Sequence, residues 1–153
     1  MLQFGEKQPD HEYRDRPTAF GLVERGGKLA CVRIDRGEGP YFDLPGGALD
    51  GDETEQQALA REFVEETGLT ITPAERIAEA SQYFVKTTGE AINNLAGFWT
   101  ASVVKEDPAA KSEPDHTLVW IDPNEAAASL RHEAHAWAVL VWIRSQPSGP
   151  GNS

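Results

Sequence analysis

The sequence predicts an α+β domain on three observations. Apolar residues alternate ahead of residue 45, a helical segment over Glu55 to Thr67 carries caps at both ends, and strand-like runs followed by an amphipathic helix come after it. With 153 residues the chain can close one core of its own and is too short for two comfortable domains. Its 14 basic and 25 acidic side chains give a formal charge of −11, which argues against a passive grip on nucleic-acid duplexes or an anionic membrane. Any polyanionic substrate would need metal ions as intermediaries. No apolar run reaches the ~20 residues that span a bilayer. The polar start, Met1 to Arg16, does not read as a signal peptide, and Cys31 as the only cysteine allows no intrachain disulfide. A cytoplasmic protein is the expectation.

Along the chain, residues 1–16 mix charges around Pro9 without periodicity and read as a flexible N-terminal arm. From Pro17 to Ile34 two alternating runs flank Gly26-Gly27, predicting a hairpin with a Gly-Gly turn. Asp35 to Pro40 is a glycine-rich loop, and Tyr41 to Leu44 is a short strand stopped by Pro45-Gly46-Gly47. Thr54 and Gln57 fit a capping box and Gly68 a left-handed cap, bounding the helix Glu55 to Thr67. Strands are predicted at Ser81 to Val85, Leu95 to Val104 and Leu118 to Ile121, with a surface loop over Lys105 to His116. Pro123 opens a short helix over Glu125 to Leu130. Ala134, Trp137, Ala138, Val141 and Trp142 recur at helical spacing in a final amphipathic helix. Residues 146–153 read as a disordered tail, leaving 17–145 as the folded domain.

On a helical wheel of ~100° per residue, Glu55, Glu62, Glu65 and Glu66 share one arc, while Leu59, Ala60, Phe63 and Val64 occupy another. Neither Lys nor Arg interrupts the acidic arc on the wheel. Like charges three and four residues apart repel by a few tenths of a kcal/mol per pair, and a divalent cation would reverse that sign. Hard cations take oxygen ligands and commonly bridge carboxylates to substrate phosphates. The turn Leu44-Pro45-Gly46-Gly47, just before the helix, allows a close backbone approach to a ligand. A calcium loop of EF-hand type fails, because Glu55 stands where glycine is needed and Arg61 where the closing glutamate is needed.

The segment Gly47 to Leu69, GALDGDETEQQALAREFVEETGL, resembles the Nudix box. Gly47, Glu53, Arg61-Glu62, Phe63, Glu65-Glu66, Gly68 and Leu69 fill every fixed position. The resemblance implies an α/β/α sandwich around a mixed β-sheet, and a Mg²⁺-dependent hydrolase of nucleoside diphosphates linked to another group, with Mn²⁺ as a substitute ion. It implies that Glu62, Glu65 and Glu66 are metal-ligand carboxylates, that the Gly46 carbonyl is a further ligand, and that Arg61 pairs with Glu53 to hold the geometry. Cations neutralise the diphosphate and lower the pKa of a bound water for attack on phosphorus.

Other constellations carry less. His132-Glu133-Ala134-His135 lacks the four-residue spacing of a zinc-protease motif. His132 or His135, at the start of the last helix, would contact the nucleotide as some family members do, against the plainer reading of exposed helix-start histidines. Tyr83, Phe84 and Trp99 are candidates to stack a base. Arg16, Arg33 and Lys86 are candidates for phosphate contact. In the mobile loop before Leu118, Glu113 is the candidate extra ligand or general base, with Asp115 and Glu106 behind it.

The leading function is therefore a pyrophosphohydrolase, by elimination one acting on a (deoxy)nucleoside triphosphate in the manner of MutT. ADP-ribose hydrolases of the family tend to carry a proline past the box, and Gln82 to Lys86 has none. Dinucleoside-polyphosphate hydrolases tend to carry a tyrosine, and Tyr83 is slightly early. ADP-ribose, nucleotide sugars and dinucleoside polyphosphates are the alternative substrates, and a non-catalytic nucleotide sensor on the same scaffold is the rival function. The expected partner is a small nucleotide, with the protein a monomer or homodimer.

Overall fold

The computed structural model describes residues 1–147. In chain order the elements are β1 (Leu2–Phe4), β2 (Arg14–Leu22), β3 (Glu24–Arg25), β4 (Lys28–Ile34), β5 (Tyr41–Asp43), β6 (Gly46–Ala48), α1 (Glu55–Thr67), β7 (Leu69–Val85), β8 (Ala91–Glu106), β9 (His116–Ile121), α2 (Pro123–Ser129) and α3 (Glu133–Ser145). One sheet is mixed, in the order β1-β7-β8-β2-β6, with β1 parallel to β7, β2 parallel to β8, and the other pairs antiparallel. The second sheet is antiparallel and centres on β4, which pairs with β3, β5 and β9.

Strand alternation explains why both faces are covered. On β2, Ala19 points to a cluster with Leu59 and Phe63 of α1, while Phe20 and Leu22 point to a cluster with Ala134, Ala138, Val139 and Trp142 of α3. On β4, Ala30 joins the first cluster and Leu29 and Cys31 the second. The sheets are thus sandwiched between α1 and the α2–α3 pair, as the α/β/α expectation requires. Fully burying Leu59 or Phe63 contributes roughly 1.5–3 kcal/mol each. Cys31 is buried in the core, which pushes its thiol up to about 12.

Helix α1 has the bounds its caps predict. Thr54 accepts from the Gln57 backbone N–H, the Gln57 side chain accepts from the Thr54 N–H, and Gly68 adopts φ 77° while its N–H reaches the Val64 carbonyl.

Several expectations are corrected. The arm over 1–16 carries order at both ends: Leu2–Phe4 adds a parallel edge strand to β7, Gln3 Nε2 donates to Asn93, and β2 already begins at Arg14. Edge hydrogen bonds and one apolar residue, Phe4 packed beside Trp137, hold this segment, so no periodicity betrayed it. The hairpin is reduced to Glu24–Arg25 against Lys28–Leu29, because the chain changes sheet at Val23 and β2 pairs with β8 and β6. β7 starts directly after the helix, well ahead of Ser81; only Leu69 and Ile71 of its first half are buried, and the stretch after them holds Pro73 and, with the three register shifts against β8, breaks the two-residue pattern. The 105–116 loop is not loose. Pro108–Ala110 forms a 3-10 turn, and the Ser112 and Glu113 N–H groups both donate to the Glu65 carbonyl at 2.9 and 3.0 Å. That contact satisfies an α1 carbonyl that the helix end leaves without an internal partner. Of the 146–153 tail, residues 148–153 lie outside the described residues.

Candidate active site

The acidic arc of α1 is divided by the fold. Glu55, at the helix start, accepts from Trp99 Nε1 at 2.8 Å and from Arg76 at 3.1 Å, away from the other glutamates. Arg61, absent from the arc on the wheel, bends across it. Its Nε and Nη2 donate to the two Glu53 oxygens at 2.7 and 2.8 Å, Nη1 to Glu62 at 2.9 Å and more weakly to Glu65, and Nη2 also reaches the Ala48 carbonyl. The bidentate bond holds the Glu53 carboxyl down at about 2. The Arg61–Glu53 pairing implied by the resemblance is thus present in the geometry.

Beyond Arg61 lies the buried end of the arc. Glu66 accepts the Gly46 N–H at 3.0 Å on Oε1 and faces His116 Nε2 at 3.4 Å with Oε2. Burial, and then the charge of neighbouring Glu62, push its carboxyl well above the usual range. Glu62 is also raised by burial, against the pull of Arg61. The Gly46-Gly47 turn is needed for this closeness. Gly46 has φ 143°, and a Cβ there would collide with the Ala19 carbonyl of β2. A Cβ on Gly47 would stand 2.8 Å from the Glu62 carboxyl carbon.

Glu62, Glu66, Gly46 and Gly47 form one wall of a cleft of about 550 Å³. Arg16, Phe84, Lys86, Arg131 and His132 line it as well, and Glu113 and His116 enter from the loop before β9. Arg16 donates from Nε to Asn94 at 2.9 Å, and burial lowers its pKa. Among the described residues it makes no salt bridge, whereas Lys86 is paired with Glu90 and Arg131 with Asp43.

Trp99, which gives its indole N–H to Glu55, and Glu106, which ends β8 paired with Arg25, fall outside the cleft, and two further candidates do so for one reason. Arg33 lies between Val32 and Ile34, which line the cleft, so strand parity turns it to the opposite face near Asp35. Tyr83 likewise turns away beside Phe84 and packs edge-on against Tyr13, their ring centroids 5.0 Å apart. His132 and His135 are buried rather than exposed. The His132 ring sits 4.9 Å from Phe84, and His135 Nδ1 accepts the Leu44 N–H at 3.2 Å. Burial brings both rings down to about 3, so they are neutral at pH 7. Glu53, Arg61 and Glu65 flank the cleft without lining it, and Arg61 ties Glu53 and Glu65 to Glu62, which does line it.

Sequence reasoning missed a polar cluster on the second sheet. Asp43 accepts two bonds from Arg131, at 2.8 and 3.2 Å, and the Arg131 guanidinium stacks 3.9 Å from the Tyr41 ring centre. Arg36 donates to the Tyr41 hydroxyl and, at 2.7 Å, to Asp115, which it and His116 hold down at about 2. An acid inside the apolar run Tyr41 to Leu44 was the available signal for Asp43. Nothing local marked Arg36.

The donor set suits a divalent cation. Burial raises the pKa of both carboxylates, the Glu62 charge raises Glu66 further, and the wall they form with the Gly46-Gly47 turn offers hard oxygen donors. With a cation held there, this wall could support charge stabilisation of a phosphate anion.

The comparisons agree with this geometry. A family model described as NUDIX domain matches residues 14–143. A MutT-like protein of Streptomyces ambofaciens is 28% identical over 133 residues, covering 84% of this chain and 75% of that protein. A CTP pyrophosphohydrolase of Escherichia coli K12 is 28% identical over 107 residues, covering 69% and 74%. The solved NUDIX hydrolase from Nitrosomonas europaea superposes with a TM-score of 0.73 at 21% identity, over 90% of this chain and 95% of that one. With the family match running through both sheets and the Glu-rich helix that follows the Gly-Gly turn, the chain belongs to the Nudix hydrolases.

Proposed function

We propose that the chain is a Mg²⁺- or Mn²⁺-dependent pyrophosphohydrolase that cleaves a (deoxy)nucleoside triphosphate by attack of water on phosphorus. The observation that carries the reading is that one cleft is lined both by the Glu62 and Glu66 carboxylates and by the Arg16 guanidinium, which makes no salt bridge among the described residues. The MutT-like and CTP-cleaving relatives support the triphosphate class. Glu62, Glu65 and Glu66, with the Gly46 carbonyl, would hold the cation, which when bound neutralises phosphate charge and acidifies water. Arg61, anchored by Glu53, keeps Glu62 and Glu65 in place. Arg16 and Lys86 receive phosphate oxygens, since a guanidinium with free Nη groups in a half-dry cleft gains most from an anion. His132 and Phe84 border the nucleoside, and Glu113 takes the proton of the attacking water. The buried lone Cys31 and the absence, among the described residues, of any helix able to cross a membrane accord with a small-nucleotide enzyme of the cytoplasm.

The test is product release over a panel of nucleoside triphosphates, ADP-ribose, nucleotide sugars and dinucleoside polyphosphates, run in ¹⁸O-water with Mg²⁺. A triphosphate is expected to turn over best, with label on a phosphate product. Label only on carbon, or turnover in excess chelator, would sink the reading; a preference for ADP-ribose would leave the chemistry and replace the substrate.

A further inference from the structure

We propose that His116 Nε2 is a nitrogen ligand to the cation that Glu66 holds, making the site favour Mn²⁺ and similar transition ions over Mg²⁺ more than an all-oxygen set would. The inference rests on the proposed role of Glu66 as a metal ligand. It starts from the tautomer of the ring. Asp115 is acceptor-only as a carboxylate, and its Oδ1 lies 2.7 Å from His116 Nδ1, so Nδ1 carries the proton. Arg36 fixes the other Asp115 oxygen at 2.7 Å, which leaves this arrangement little freedom. In the neutral form that a metal ligand must take, Nε2 therefore presents a bare lone pair.

That lone pair points at another acceptor. Glu66 Oε2 stands 3.4 Å from Nε2, while Oε1 is already engaged by the Gly46 N–H. Two lone-pair donors facing each other across 3.4 Å, on side chains only 7% and 8% exposed, repel unless a proton or a metal ion lies between them. Ligand atoms about 2.1 Å from a shared ion stand about 3.0 Å apart in octahedral and about 3.4 Å apart in tetrahedral geometry, so an ion fits between these two with little movement. Glu113, whose carboxylate falls within 4.8 Å of the His116 and Asp115 ligand atoms, lines the same cleft and offers a further oxygen. A histidine that gives one ring N–H to a carboxylate and its other nitrogen to a metal is the usual way such ligands are oriented. Imidazole nitrogen suits transition ions, whereas Mg²⁺ prefers oxygen.

The experiment is electron spin-echo modulation of the protein loaded with one equivalent of Mn²⁺, together with Mn²⁺ and Mg²⁺ affinities by titration. The native protein is expected to show ¹⁴N modulation that disappears in His116→Gln, and a Mn²⁺-over-Mg²⁺ preference that shrinks about tenfold there. Asp115→Asn keeps the ring but weakens its orientation, and should lower Mn²⁺ affinity by about 10- to 100-fold. Mn²⁺ that binds in a Glu66-dependent way without ¹⁴N modulation overturns the histidine ligand and leaves the proposed function standing. Modulation that persists in His116→Gln assigns the nitrogen elsewhere and also overturns it. Mn²⁺ binding indifferent to Glu66→Gln removes the metal assignment on which both inferences rest.

Discussion

Arg61 and Glu53 are joined by two parallel hydrogen bonds of 2.7 and 2.8 Å, so the one basic side chain that α1 itself carries is held by a residue outside the helix. Glu53 lies in the turn before α1, where it also accepts the Asp50 N–H. The pair staples that turn to the helix, and leaves only the third guanidinium nitrogen for Glu62 and Glu65.

Arg61→Lys keeps the charge and loses the fork. We expect kcat to fall at least about tenfold with KM little changed, because the variant displaces Glu62 and Glu65 without touching the cleft's cations. Steady-state kinetics with a triphosphate check this; unchanged kcat would show that the fork is not needed to place the carboxylates.

Glu66→Gln and Glu65→Gln separate two roles. Removing the buried Glu66 charge relieves its repulsion with Glu62, so the metal-free variant should unfold at higher urea than the native protein while kcat drops by about 10² to 10³. Glu65 is partly exposed and bonded to Arg61, so its variant should lose activity without gaining stability. Urea titrations in chelator, beside kcat in Mg²⁺, distinguish the two.

Glu113→Gln should lower kcat by about 10² to 10⁴ and hardly change KM, as for a positioned base. The acidic limb of the pH profile should vanish with it. Because the Glu113 N–H is tied to the Glu65 carbonyl, the side chain is held ready beside the cleft, and no loop-closing step should precede chemistry in pre-steady-state traces. A silent Glu113→Gln with a crippled Glu106→Gln would move the role along the loop.

His135 sets a pH dependence of stability. Its folded pKa of about 3 lies below the ordinary value of 6.5, so between these values the unfolded chain binds the extra proton. The contribution is complete above about pH 6.5 and is lost as pH falls toward 3, at up to about 1.4 kcal/mol per pH unit. The raised Glu62–Glu66 pair works in the opposite sense over part of this range, so the measurement is comparative. His135→Gln can still accept the Leu44 N–H and does not titrate. Its unfolding free energy should fall less steeply from pH 6.5 to 4.5 than that of the native protein; equal slopes would refute the buried neutral ring.

What the sequence revealed follows from how local each signal was. The box helix was legible to the residue because Thr54, Gln57 and Gly68 act on their own neighbours, and the Arg61–Glu53 pair lies within the same motif. Arg16, Lys86 and His132 reach the cleft, but Arg33 and Tyr83 do not, since a basic or aromatic residue on a strand has two faces to choose from and the partner strands decide. The hairpin over Pro17 to Ile34 was mistaken because a Gly-Gly turn fixes only its immediate flanks, whereas the parallel pairing of β2 with β8 is made by residues more than seventy positions apart. The Arg36–Asp115–His116–Glu66 chain spans three separate segments, and no spacing rule connects them.

The alternation on β2 that sends Ala19 to one side and Phe20 to the other has an evolutionary consequence. The helix with the acidic residues and the helix pair with the histidines rest on opposite faces of the same strands and meet only around the cleft at the Gly46 end. Substitutions on the α3 face can therefore reshape what the cleft admits without reaching the packing that holds Glu62 and Glu66. One half can diversify over many substrates while the other keeps a single reaction.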